Sequence, residues 1–135
     1  MDFQKLFTLQ EAIAILPEVR ELIQKVVEHK KELDSKRHEL GKLETSKVSG
    51  NGHEIKREHL ATKIVELRQN LEKVMDAIHQ IGCQVKDLDM GLVDFPAQRA
   101  GGEIVNLCWH MGEEGIEYWH TLDTGFMSRR PISEF

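Results

Sequence analysis

Two side chains in the last third of the chain have the right types for joint chemistry, Asp94 and His120. A carboxylate and an imidazole together suit a zinc-class divalent ion. They also suit general-base work, in which the carboxylate holds the imidazole in one tautomer. Asp123, with Asp89 or His110, is a candidate further member. No spacing among these residues matches a known ligand signature. The competing reading is structural: Asp94 and His120 as partly buried polar groups bonded to backbone or to other neighbours. Cys108 reads as a small apolar filler beside Phe95 and Trp119, because it is flanked by Leu107 and Trp109 and not by a base. His110 reads as a rim partner of Glu117. His38, His53 and His59 fall towards the tip of a helical hairpin and read as solvated surface.

The elements that must position Asp94 and His120 are short strands. After Gly82 the hydrophobic period becomes two. Cys83–Leu88 makes a short first strand, with Leu92–Arg99, Glu103–His110 and Ile116–Leu122 after it. Gly101-Gly102 suits a two-residue hairpin turn, and the GEEG run from Gly112 makes the second turn. Pro96 argues that its strand is an edge, or bulged there. If both turns are two-residue turns, Asp94 faces Trp109, Trp109 faces Tyr118 and Leu107 faces His120. Asp94 and His120 then share a face on the outer strands, about 10 Å apart at two strand spacings. This register makes both faces largely apolar, so both need a cover. Phe95, Trp109, Tyr118, Trp119 and Arg129 are then the candidates for an interface in a homodimer.

The first eighty or so residues read as the scaffold for that sheet. Thr8 and Glu11 have the spacing of a capping box. Pro17 interrupts the pattern, predicting a short first helix, a break, and a second helix from about Glu18 to Glu44. Ser46–Gly52 is a loop by composition. From Glu54 to Ile81 the apolar positions Leu60, Ile64, Leu67, Leu71, Val74, Ile78 and Ile81 step by four and three, and Gly82 stops the helix. Two helices of similar length joined by a short loop fold back as an antiparallel pair.

The chain has 135 residues, is 40% hydrophobic and 30% charged, and carries a net charge of −5. That suits one domain over 1–135, with a coiled-coil-like hairpin over 8–82 and a three- to four-stranded antiparallel meander with an irregular tail over 83–135. The fold class is α+β. The hairpin half carries 14 basic and 14 acidic groups, and residues 83–135 carry 4 and 9, so the sheet half is acidic. Acidic surface repels phosphate backbones and argues against nucleic acid. The Lys and Arg residues of the hairpin are interspersed with acids and read as a solvated face, leaving an anionic partner for it a minor alternative. The opening residues show neither a signal peptide nor a membrane span, so the cytoplasm is expected, with Cys83 and Cys108 as free thiols.

Several motifs together resemble a known family. FTL near the start with Leu16-Pro17 after it, KDLDMGLVDFP at 86–96, LCWHMGE at 107–113, and YWHTLDTGF from Tyr118 with Arg129 following are similar to DUF2203, an uncharacterised bacterial family. The resemblance covers nearly the whole chain and implies no activity, cofactor or catalytic residue. It does imply that GLVDFP, the Cys108-Trp109 pair and the Trp119-His120 pair belong to the family pattern. That pattern has a basic residue, usually arginine, where this chain has His110, which leaves Asp94 and His120 as the candidate site. Two functions are expected from the whole reading. The first is a non-enzymatic, self-associating interaction protein, a homodimer or an adaptor for another protein, with no cofactor. The second is a divalent-metal-binding protein or metal-dependent hydrolase using Asp94 and His120.

Overall fold

In a computed structural model, which describes residues 5–46 and 50–135, two long helices pack together and carry a five-stranded antiparallel sheet. Helix α1 spans Leu9–Thr45 and α2 spans Asn51–Ile81. The capping box at the start of α1 is complete. The Thr8 backbone N–H donates to Glu11 Oε1 at 2.9 Å, and the Glu11 N–H donates to Thr8 Oγ1 at 3.0 Å. Contrary to the expected break, α1 runs straight through Pro17. Pro17 deprives the Ile13 carbonyl of its donor. Both residues lie on the exposed side, where water can serve that carbonyl, while Ala12, Leu16, Val19 and Ile23 hold the inner stripe in the core. The expected loop at Ser46–Gly52 lies partly outside the described residues, and Asn51 and Gly52 already belong to α2. In α2, Leu60, Leu67, Leu71 and Ile78 of the heptad stripe are buried. Gly82 ends the helix with φ 112°, and its N–H bonds back to Ile78 and His79.

The strands are β1 (Gln84–Asp87), β2 (Leu92–Gln98), β3 (Ile104–His110), β4 (Tyr118–Thr121) and β5 (Arg130–Pro131), paired in chain order. One more strand forms than the meander reading allowed, because Arg130–Pro131 of the supposedly irregular tail pairs with β4. Strand β2 is not an edge, for β1 and β3 flank it. Yet β1 pairs only with Leu92–Asp94. At Pro96 that side is bordered only by the N-terminal segment, whose Phe7 N–H donates to the Pro96 carbonyl at 2.7 Å. A residue without an N–H therefore costs no ladder bond there.

The register differs from the expected one by one residue in both hairpins. Asp94 pairs with Cys108, Cys108 with Tyr118, Leu107 with Trp119, and Asn106 with His120. The cause of the first shift is a three-residue turn. Arg99 and Glu103 close it through an N–H···O bond of 2.8 Å, leaving Ala100, Gly101 and Gly102 to turn the chain. Both glycines sit at positive φ, as such a turn favours. A shift of one residue turns every side chain of β3 over. Val93, Phe95, Ala97, Val105, Leu107, Trp109 and Trp119 now share one face, are all buried, and join the hairpin core. The opposite face carries Asp94, Asn106, Cys108 and His120. The sheet thus has one apolar face, and the two-apolar-face argument for a homodimer no longer applies.

The polar face is covered by the chain itself. After β4, residues 122–126 fold back over it, and Phe126–Ser128 form a short 3₁₀ turn. Arg129 pins this strap. Its guanidinium lies over the Tyr118 ring at 4.1 Å and the Phe126 ring at 4.3 Å, and its Nη1 donates to both Glu113 oxygens at 2.9 and 3.0 Å. No helix among the described residues is long and apolar enough to cross a membrane.

Candidate metal centre

The corrected register brings four polar side chains to one spot. Asp94 on β2 and His120 on β4 reach towards each other across β3, passing between Cys108 and Asn106. Both β3 residues are small enough to allow it. His120 Nε2 stands 3.0 Å from Asp94 Oδ1. Ligand atoms of Asp94, Cys108 and His120 all lie within 4.8 Å of one another, and all three residues are buried. The other ring nitrogen, His120 Nδ1, lies 2.8 Å from the Thr121 carbonyl oxygen.

Those partners assign the protons. A carbonyl only accepts, so Nδ1 carries a hydrogen and donates it to Thr121. The Nε2 atom then faces the Asp94 carboxylate and the Cys108 sulfur. With no metal bound, the arrangement is an imidazolium paired with a carboxylate. The His120 pKa is accordingly raised to about 10, first by the hydrogen bond to Asp94 and then by the one to Cys108, against the opposing effect of burial. Burial pushes the Cys108 thiol up, and it pushes Cys83 up to about 12.

This geometry argues against a thiol nucleophile. In a relay the carboxylate holds one ring nitrogen and the nucleophile faces the other. Here a backbone carbonyl holds Nδ1, and the acid and the thiol compete for Nε2. A raised thiol pKa also disfavours the thiolate. What the arrangement suits is a cation at the point where Oδ1, Sγ and Nε2 converge. The Nδ1–H···O=C bond is the outer contact that fixes a ligating histidine in the required tautomer.

A model for an uncharacterized conserved protein family, DUF2203, matches residues 5–132. The chain belongs to this family. No curated protein and no solved structure matches it. In this DUF2203 chain the motifs GLVDFP, LCWHMGE and YWHT fall on β2, the second half of β3 and β4, and supply Asp94, Cys108 and His120, with Asn106 directly before the second motif.

The remaining candidates from the sequence lie elsewhere. Asp123 is exposed, and its carboxylate accepts from Thr121 Oγ1 at 2.7 Å, a bond that holds its pKa below the usual value. Asp89 is on the surface, 3.1 Å from Lys30 Nζ. His110 is paired not with Glu117 but with Glu113, at 3.8 Å, and its Nδ1 is 2.9 Å from the Met111 carbonyl oxygen. Phe95, Trp109 and Trp119, nominated for an interface, are buried in the core. Tyr118 and Arg129 hold the strap. Sequence reasoning missed Cys108 and Asn106 as site members. Their signal was present: Asn106, Cys108 and His110 alternate with Val105, Leu107 and Trp109, but the two-residue turn placed the wrong set beside Asp94.

Proposed function

We propose that this protein binds a divalent transition-metal ion of the zinc class through Asp94 Oδ1, Cys108 Sγ and His120 Nε2. The observation carrying this reading is that three ligand atoms from three strands meet within 4.8 Å in a buried spot while the Thr121 carbonyl holds the free nitrogen of His120. A mixed sulfur, nitrogen and oxygen set favours zinc over magnesium or calcium. The 3.0 Å between Asp94 and His120 is a few tenths short of the edge of about 3.3 Å that a tetrahedral site needs. A small outward movement of these two side chains brings that edge to length. Three protein ligands leave a fourth position. Asp94 and His120, but not Cys108, line a cavity of about 180 Å³ under the strap, so that position opens towards it. A zinc-class ion held there supplies Lewis acidity to whatever occupies the fourth position.

Metal and protons compete for the same atoms. Binding displaces one proton from Nε2 and one from the Cys108 thiol, so affinity rises with pH. The test is zinc titration of untagged, chelator-stripped protein by calorimetry in buffers of different ionisation enthalpy, with elemental analysis of the protein as purified. One zinc per chain with release of about two protons is expected, together with at least tenfold weaker binding in Cys108→Ser and His120→Ala. Zinc binding of unchanged affinity in both variants removes the reading.

A further inference from the structure

We propose that the cavity under the strap takes a small hydroxycarboxylate, its hydroxyl donating to Asn106 and its carboxylate meeting Lys86. Asn106 is only 5% exposed and lines the cavity, and its Oδ1 has no hydrogen-bond partner among the described residues. A buried carbonyl oxygen without a donor costs about 1–3 kcal/mol. The fold therefore keeps at this point an acceptor that a ligand with an O–H or N–H group can satisfy. Lys86, on the exposed rim, gives the same cavity a cation, and no ion pair involves it among the described residues. Leu92, Leu122 and Phe126 supply apolar walls, and the Asp94–His120 pair and Thr124 line the cavity beside them. The cavity volume of about 180 Å³ equals the liquid volume of about six waters. A molecule the size of lactate is on that scale.

A hydrogen-bond donor and an anion on a short carbon skeleton define the class. The inference stands on the cavity and not on the metal centre, so it is tested with a chelator present, where failure of one leaves the other intact. The probes are lactate, propionate, which lacks the donor, and lactamide, which lacks the charge. Binding is read from backbone amide shifts in ¹H–¹⁵N NMR spectra. Lactate is expected to shift amides around the cavity saturably, with propionate and lactamide at least about tenfold weaker. Asn106→Leu is expected to bind lactate no better than propionate and to melt no lower than wild type, because it removes an unpaired acceptor. Lys86→Gln, at an exposed position, is expected to lose the preference for lactate over lactamide. The proposal is overturned if lactate gives no saturable shift, if the three probes bind alike, or if Lys86→Gln keeps the full preference.

Discussion

Replacing Asp94 by alanine isolates the electrostatics of the cluster. The carboxylate is 2% exposed and its partner His120 3% exposed, so bulk water screens the pair little. Without Asp94, an imidazolium is left buried beside a thiol, and it must either stay charged without a partner or lose its proton. Removing one member of such a pair costs about 3–5 kcal/mol. Unfolding entropy of about 2.1 cal/mol/K per residue gives about 0.28 kcal/mol/K for this chain, so the melting temperature should fall by about 10–18 °C. The pH dependence supplies the stronger test. The pKa of His120 in the folded protein is raised from 6.5 to about 10. The pair's contribution is thus complete below about pH 6.5 and fades as pH climbs through 10. Metal-free wild type should lose stability from this group across that window. Asp94→Ala should lose the slope, because its unpaired His120 is neutral over most of the range. Chemical denaturation at a series of pH values, with chelator present, measures both. Parallel pH profiles for the two proteins, or a cost below about 1 kcal/mol, would refute the ion-pair assignment.

Four further outcomes rest on the scaffold. Pro17→Ala should stabilise the protein by about 1–3 kcal/mol in urea unfolding, because it restores a donor to an exposed helical turn. Gly41→Ala should add about 1 kcal/mol, since an added Cβ in mid-helix meets nothing within 4 Å. Gly91→Ala should instead destabilise by more than about 1 kcal/mol, because φ is +71° and the new Cβ would lie 2.9 Å from Ile23 Cγ2. Cys83 and Cys108 are buried with raised thiol pKa values, so a thiol reagent should modify both only as fast as the protein opens, and the rates should climb together with denaturant.

The heptad stripe from Leu60 to Ile81, the Thr8–Glu11 capping box and the Gly82 stop were legible because each depends on residues within one or two turns of each other. The period-two segments likewise announced strands, and Asp94 and His120 stood out as polar residues in apolar runs. Local rules failed at Pro17, where packing of the α1 inner stripe against the core outweighs one lost backbone bond. They failed again at the turn after β2. Gly101-Gly102 permits a two- or a three-residue turn, and local conformation hardly distinguishes them. The choice belongs to the sheet. Only the three-residue turn puts Trp109, Leu107 and Val105 on the same side as Phe95 and Trp119, against the hairpin. Burying that set on one face outweighs any local preference of two glycines. The same choice turns Cys108 and Asn106 towards Asp94 and His120. The sequence by itself determined the capped start of α1, the whole of α2, the first four strands and two members of the cluster. The tertiary structure decided the other two members, the strap that covers them and the cavity beside them, because a register is settled by what the whole sheet can bury.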